Sequence, residues 1–214
     1  THPMDCKLSG NFIQHLDITL FPGEEFFAQK GALICLEAGL RKEVGLNGSG
    51  LKRILKAKLS GESLFVIRLY NDCGVPRKAV IGSSCGLLPV KIESETLLCH
   101  SGVFVASDSR MEISSKISFR GFMGGMGLFL QKISGNGTVY LDTKDEPLVL
   151  DLRPGERVEL DENHIIALRG IDESRMSANV SADNFFGGEG FSMLCVTGPG
   201  RVYLSPGSLL TTEE

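Results

Sequence analysis

Glycine-marked segments recur along this chain at a nearly constant interval, and this repetition constrains the fold more than any other feature. The segment beginning Gly188-Glu189-Gly190 follows Gly125-Met126-Gly127 by 63 residues, and that segment follows Gly61-Glu62-Ser63 by 64. Further along, Gly198-Pro199-Gly200 follows Gly135-Asn136-Gly137, again by 63 residues. Self-similarity at a fixed period is typical of a chain built from repeated structural units.

A third landmark opens each unit. Pro154-Gly155-Glu156 resembles Pro22-Gly23-Glu24, and the middle copy is a weaker Glu93-Ser94-Glu95. Apolar pairs follow each landmark at the same distance. We therefore predict one compact three-repeat module, with β repeats at 10–80, 81–145 and 146–208.

The hydrophobic period inside the units is two. Leu16, Ile18 and Leu20 alternate with polar residues, as do Leu148, Leu150 and Leu152. Such alternation predicts β-strands with one buried face and one wet face. Short strands separated by glycine-rich turns favour an all-β fold of three internal repeats, each an antiparallel β-sandwich unit.

The recurring glycines are interpreted as structural turns, because glycine tolerates positive φ and lets backbones approach closely. Their recurrence suggests that these turns cluster around a pseudo-threefold axis. The repeat-marking positions are Gly61, Gly125, Gly127, Gly188, Gly190, Gly135, Gly137, Gly198 and Gly200. A phosphate-cradling loop is the alternative, but the segments at 124–127 and 187–190 open no helix and lack the Lys-Ser/Thr of a P-loop.

One segment of the first unit has a helical period instead. Its apolar residues at 51, 54, 55 and 59 predict a short helix of about two turns. The basic residues between them are Lys52, Arg53, Lys56 and Lys58. Their face is the best local candidate for contact with an anionic partner, a lipid surface or nucleic acid. The alternative is an ordinary solvated face opposite an apolar stripe that packs on the core.

Charge and composition narrow the function classes. The formal net charge of −4 argues against global electrostatic binding of nucleic acid. No apolar run approaches the ~20 residues of a membrane-spanning helix, and no signal peptide is visible. The six cysteines form no C-x-x-C pair, so we expect free thiols in a reducing compartment. We expect a cytoplasmic location, or a mitochondrial one if a targeting peptide has been removed from the chain, which begins with Thr1.

The sequence holds no recognised catalytic constellation. The four histidines form no His-x-His pair, so we predict no metal site and no cofactor. The segment at 82–86 misses the Gly-x-Ser-x-Gly spacing by one residue, and we predict no catalytic residue. Glu24, Glu95 and Glu156 occupy the same phase of each unit. They could form a ring across an interface, or each could lie in solvent beside its own turn.

Two segments carry a family resemblance. Phe185-Phe186-Gly187-Gly188-Glu189-Gly190-Phe191 and the following Thr197-Gly198-Pro199-Gly200-Arg201-Val202-Tyr203-Leu204 strongly resemble the C-terminal signature of the altered-inheritance-of-mitochondria (mitochondrial biogenesis) family. Inner motifs at 61–65, 102–108 and 134–139 are also similar, over about residues 15–205. Met126 departs from the usual Glu of the middle Gly-Glu-Gly, and Ser192 follows Phe191 where an apolar residue is typical.

The resemblance implies a fold similar to the trp RNA-binding attenuation protein, with double-stranded β-helix-like units. It also implies homo-oligomers, for which a trimer is one option, and a link to mitochondrial membrane organisation. It implies no reaction. We favour a non-enzymatic scaffold or interaction module that self-assembles, with an unknown protein partner and with a membrane surface as an open option. The alternatives are an RNA-binding ring, by fold analogy, and an enzyme with a site at a subunit boundary.

Overall fold

The computed structural model describes residues 4–46, 65–114, 117–118, 129–179 and 193–209. This part of the chain is built almost entirely from antiparallel strands, with two single-turn 3-10 helices at Glu162–His164 and Glu173–Arg175. The all-β antiparallel class predicted from the period-two pattern is confirmed. The strands are β1 (Asp5–Ser9), β2 (His15–Leu20), β3 (Glu25–Gln29), β4 (Leu33–Leu36), β5 (Arg41–Leu46), β6 (Phe65–Tyr70), β7 (Arg77–Gly82), β8 (Gly86–His100), β9 (Phe104–Ser107), β10 (Glu112–Ile113), β11 (Ile117–Ser118), β12 (Phe129–Thr143), β13 (Leu148–Leu152), β14 (Arg157–Asp161), β15 (Ile165–Arg169), β16 (Met176–Asn179), β17 (Met193–Thr197) and β18 (Gly200–Leu204).

The strands form three sheets. The largest follows the order β13-β18-β15-β8-β12-β9-β3-β6-β5, with β10 and β11 also paired to β12. A four-stranded sheet has the order β1-β2-β7-β4, and a three-stranded sheet has the order β14-β17-β16. β4 and β14 are therefore edge strands of the two smaller sheets.

One set of ladders recurs in three stretches of the chain. In the first, β2 and β4 pair with β7 while β3 and β5 pair with β6. In the last, β13 and β15 pair with β18 while β14 and β16 pair with β17. In the middle, the long strands β8 and β12 each supply two of these positions, with β9 and β10 beside β12.

A bulge recurs at one step of these ladders. The register shifts by one residue at Ile34 in β4, at Val105 in β9 and at Ile166 in β15. A shared bulge position is an alignment independent of the sequence motifs. It supports our proposal that three related units, at about the predicted boundaries, build the chain. We call them the first, middle and last units below.

Each unit encloses its own apolar cluster, and each cluster extends into a neighbouring unit. Phe26, Leu16 and Ile81 lie at the centre of the cluster in the first unit. The cluster of the middle unit also contains Ile166 of the last unit, and that of the last unit contains Leu98 of the middle unit. The units therefore share core packing instead of standing as separate domains.

The described residues include no helix long and apolar enough to cross a bilayer. The short helix predicted around residues 51–59 lies outside the described residues.

Candidate functional site

Two strand pairings join neighbouring units, and we call them joints. At the first joint β3 pairs with β9, so that Ala28 lies opposite Ala106. At the second joint β8 pairs with β15, so that Cys99 lies opposite Ala167. Both joints use the strand after the opening turn of one unit and the bulged strand of the next. The two joints are therefore the same contact made twice.

Apolar side chains are fully enclosed at both joints. The bulge residues Val105 and Ile166 are 2% and 0% exposed. Phe27 and Leu98, which lie three residues after Glu24 and Glu95, are 6% and 2% exposed. Burial of this extent stabilises each joint through the hydrophobic effect.

The corresponding strands at the two chain ends are not joined to each other. β4 of the first unit and β14 of the last unit have no strand partner on their outer edges within the described part of the chain. Ile34, the third bulge residue, is 64% exposed, and Cys35 beside it is exposed as well. We call the outer edges of β4 and β14 the open edges.

A charged residue marks the open edge of β14. Glu159 lies three residues after Glu156, in the position that Phe27 and Leu98 occupy in the other units, and it is exposed. A charged side chain on an edge strand is a common device against uncontrolled strand pairing. The two open edges therefore differ, with an apolar side on β4 and a charged residue on β14.

The three phase-equivalent glutamates do not share one role. Glu24 Oε2 accepts a hydrogen bond from the Phe21 backbone N–H at 2.8 Å, and Glu156 Oε2 accepts one from the Arg153 N–H at 2.8 Å. Glu95 instead forms an ion pair across the second joint with Arg169. Two of the acids thus close their own turns while the third stabilises a joint.

A cleft of about 570 Å³ opens beside the first joint. Its lining includes Cys6, Glu24, Asp108, Arg110 and Tyr140. The acids in it have partners of their own, since Asp108 Oδ1 accepts a hydrogen bond from the Thr138 N–H at 2.8 Å and Glu24 closes its turn. Another lining residue, Glu25, is 2.6 Å from Arg68 Nε.

The thiol and the phenol in this cleft are held in their neutral forms. Burial raises the pKa of the Cys6 thiol to about 11, against the opposing effect of its hydrogen bond with Tyr140. Burial also raises the pKa of Tyr140 above its usual range. Neither group supplies a thiolate or phenolate at neutral pH, so the cleft contains no activated nucleophile of these types.

The recurring glycines divide into two groups. Gly61, Gly125, Gly127, Gly188 and Gly190 lie outside the described residues, and so do Lys52, Arg53, Lys56 and Lys58 of the basic segment. Gly135 and Gly137 do not reverse the chain: they lie within β12, at the register shift against β8. Gly198 lies between β17 and β18, where its N–H donates to the Glu156 carbonyl at 2.8 Å, and Gly200 begins β18.

Close backbone approach explains why position 137 is glycine. Its φ is +144°, and an added Cβ would lie 2.1 Å from Ser109 Oγ and 2.3 Å from Asp108 Oδ1. Gly200, one period later, has φ +158° and a Cβ there would lie 2.4 Å from Ile171 Cγ1. Both glycines let the loop after a bulged strand fold over the next ladder.

The described histidines make local contacts. The Nδ1 atom of His164 donates to the Ser205 carbonyl at 2.7 Å, and Nδ1 of His100 donates to the Ser101 carbonyl at 2.9 Å. His15 Nε2 lies 3.6 Å from Asp17. Within the described ranges no three His, Cys, Asp or Glu side chains come together to hold a metal ion.

The open edges were missed from the sequence. In the sequence, Leu33-Ile34 is an apolar pair equivalent to Phe104-Val105 and Ile165-Ile166, and nothing in the pair itself indicates that it differs in exposure. The detectable signal was Glu159, because aligning the units places a charge where Phe27 and Leu98 are apolar. Cys6 carried no sequence signal, since only the fold brings β1 next to Tyr140.

The described chain is therefore an antiparallel β protein whose units are joined edge to edge through shared cores. It belongs to the family described as mitochondrial biogenesis AIM24, whose model matches residues 6–207. No curated protein matches the chain. A Streptococcus pyogenes protein solved by X-ray crystallography in a structural genomics programme has a similar fold, with a TM-score of 0.72 and 19% sequence identity. The match covers 96% of this chain and 94% of that one.

Proposed function

We propose that this protein is a non-enzymatic β-scaffold that self-assembles. The observation that carries this proposal is the exposure of Ile34, 64%, at a position where Val105 and Ile166 are 2% and 0% exposed. Fully burying an isoleucine side chain stabilises a contact by roughly 1.5–3 kcal/mol. An apolar residue on an unpaired edge strand therefore favours association through that edge.

The chemistry of the cleft supports a structural role over catalysis. Its thiol and phenol have raised pKa values because of burial, whereas activated nucleophiles have lowered ones. Asp108 accepts a backbone hydrogen bond and Glu25 pairs with Arg68. Each contact lies within one unit, on either side of the first joint, and each gives a cleft acid a structural partner.

Membership of the mitochondrial biogenesis family supports a mitochondrial setting for this proposed scaffold. In that setting, the assembled protein would help to organise mitochondrial membranes, in line with the link that the family resemblance implies. The assembly is proposed to act by binding partners, with no reaction of its own.

Sedimentation velocity of the full chain between 1 and 100 µM tests the self-assembly, where these concentrations are chosen as roughly micromolar affinities require. We expect the sedimentation coefficient to rise with concentration. A strict monomer across the range would contradict the proposal. A filter-binding assay with RNA gives the second readout: salt-dependent retention would favour an RNA-binding ring instead.

A further inference from the structure

We propose that the open edge of β4 in one copy pairs with the open edge of β14 in a second copy, forming a head-to-tail assembly. The inference rests on the proposed function, and it names the surface and the register through which self-assembly occurs. Each copy would then repeat between molecules the joint that it makes twice inside itself.

The argument starts from the identity of the strands. Each internal joint pairs the strand after an opening turn, β3 or the second half of β8, with a bulged strand, β9 or β15. β14 follows the opening turn of the last unit, and β4 is the bulged strand of the first. The two open edges are therefore the two halves of one further joint.

The internal joints also set the register. Phe27 lies opposite Ser107 at the first joint, and Leu98 lies opposite Leu168 at the second. The corresponding residues of the open edges are Glu159 and Leu36. The same register places Leu160 opposite Cys35, as Ala28 lies opposite Ala106 and Cys99 opposite Ala167.

The strands that form the internal joints are more buried than the corresponding strands at the open edges, as this pairing requires. β9 is buried at all four residues, whereas in β4 the central residues Ile34 and Cys35 are exposed. The three central residues of β3 are buried, whereas β14 has one buried residue, Leu160. A second copy would cover Ile34 and Cys35 as Val105 and Ala106 are covered at the first joint.

The contact is heterologous, since two different surfaces meet. Such contacts build closed rings when the rotation closes and open filaments when it does not. Glu159 would lie beside Leu36 in this contact, where the second joint has the apolar pair Leu98 and Leu168. The charge makes the joint between copies weaker than the joints within a copy, so the assembly is reversible.

Disulfide trapping tests the register directly. Two variants that each add one cysteine are made in a background where the exposed or half-buried Cys6, Cys35, Cys73 and Cys85 are serine. One is Leu36→Cys in a chain of native length, and the other is Glu159→Cys in a chain carrying a larger tag. Directly opposed residues of antiparallel strands have Cα atoms about 4.5–5.5 Å apart, within the range that a disulfide spans. After mixing and mild oxidation, we expect one heterodimer of the two sizes on a non-reducing gel. Leu148→Cys, on the exposed β13, replaces Glu159→Cys in the control mixture and is expected to give only background.

Each other outcome has a defined meaning. A homodimer of either single variant as the main product would overturn the head-to-tail pairing. A variant carrying both Leu36→Cys and Glu159→Cys that closes only within one chain would overturn pairing with a second copy. Sedimentation that shows assembly without any of these crosslinks would reject this interface while the scaffold function stands. Absence of assembly would reject both.

Association strength gives an independent readout. Ile34→Lys places a charge on the open edge at an exposed site, so we expect folding to be retained and the dissociation constant to rise at least tenfold. Val44→Lys is the matched control, because Val44 is 57% exposed on β5, which belongs to a different sheet from β4 and β14, and it should leave association unchanged. Glu159→Leu gives the contact between copies an apolar pair like the one at the second joint, and it should tighten association several-fold. Equal effects of Ile34→Lys and Val44→Lys would contradict the proposal.

Discussion

Arg169 in β15 and Glu95 in β8 form an ion pair that crosses the second joint. Their side chains are 32% and 33% exposed, so water reaches the pair only in part. The Glu95 carboxylate also raises the pKa of the Arg169 guanidinium through their hydrogen bond. This pair links two units in addition to the strand pairing beneath it.

A double-mutant cycle with Arg169→Leu and Glu95→Gln should give a coupling energy of about 0.5–1 kcal/mol in chemical denaturation, because the pair is half-buried. The coupling should shrink as salt is raised. The comparison pair is Arg201 and Asp151, which are 44% and 68% exposed. A larger coupling for that exposed pair than for the joint pair would show that burial does not set the difference.

Gly137→Ala should destabilise the fold by about 1–3 kcal/mol, because φ +144° is strained for alanine and the new Cβ meets Asp108 and Ser109. Denaturant midpoints measure the loss. Gly74→Ala is the control, since nothing lies within 4 Å of a Cβ there, and it should shift stability by less than about 0.5 kcal/mol. Equal stability of the two variants would show that Asp108 and Ser109 can move away from the new Cβ without lowering the free energy of unfolding.

Asn71→Ala should lower stability by about 2–3 kcal/mol, since three backbone groups, one buried and two partly buried, lose their partner at once. Asn71 is 1% exposed. Its Nδ2 donates to the Leu20 and Val75 carbonyls at 2.8 and 2.9 Å, and its Oδ1 accepts from the Cys73 N–H at 2.9 Å. Thermal or denaturant unfolding measures the loss in Asn71→Ala. Asp72→Ala is the control, because Asp72 is the next residue along the chain and is exposed. A loss as large in Asp72→Ala would refute the explanation.

Thiol labelling should distinguish the cysteines by burial. At concentrations where the chain is monomeric, Cys35 should react fast with a thiol reagent because it is exposed. Cys99 should react only on unfolding, since it is 0% exposed and burial raises its pKa to about 12. Mass spectrometry of the labelled peptides gives the order. Rapid native-state labelling of Cys99 would show that the middle core opens more readily than its packing indicates.

The pH dependence of stability should report on Asp142. Burial raises the pKa of this carboxyl, against the opposing hydrogen bond that the Ser84 N–H donates to it at 3.1 Å. A raised folded-state pKa means that the carboxylate costs stability above that pKa, and that protonation relieves the cost as the pH falls. Asp142→Asn should therefore be more stable than the native chain at pH 7. The difference should disappear below the unfolded-state pKa, near 3.8, and a constant difference across pH would exclude this cause.

The period-two pattern predicts local structure well where a strand is covered. Leu16, Ile18 and Leu20 are buried in alternation along β2, as their spacing predicts. Leu148 and Leu150 obey the same rule and form β13, but they are 58% and 37% exposed, so the predicted buried face is wrong there. β1 continues the sheet beyond β2, whereas no described strand continues it beyond β13. The period-two pattern therefore predicts that a segment is a strand, whereas the adjacent strands determine whether its apolar face is buried.

The candidate site depends on position in the chain, which local patterns do not encode. Ile34 and Ile166 are the same residue type at the same bulge, yet one is exposed and the other is enclosed. The difference arises because the first unit has no described neighbour on that side. The sequence feature that indicates an open edge is Glu159, which stands out only when the units are aligned residue by residue.

β8 and β12 are single strands of 15 residues each, where the outer units use two shorter strands. Each therefore takes part in two successive ladders without an interruption of the backbone pairing other than one bulge. Within the described residues, backbone pairing between β8 and β12 therefore continues on both sides of that bulge. A load applied to one outer unit would pass through these two strands to the other. We therefore expect the described part of the protein to resist extension as one stiff body.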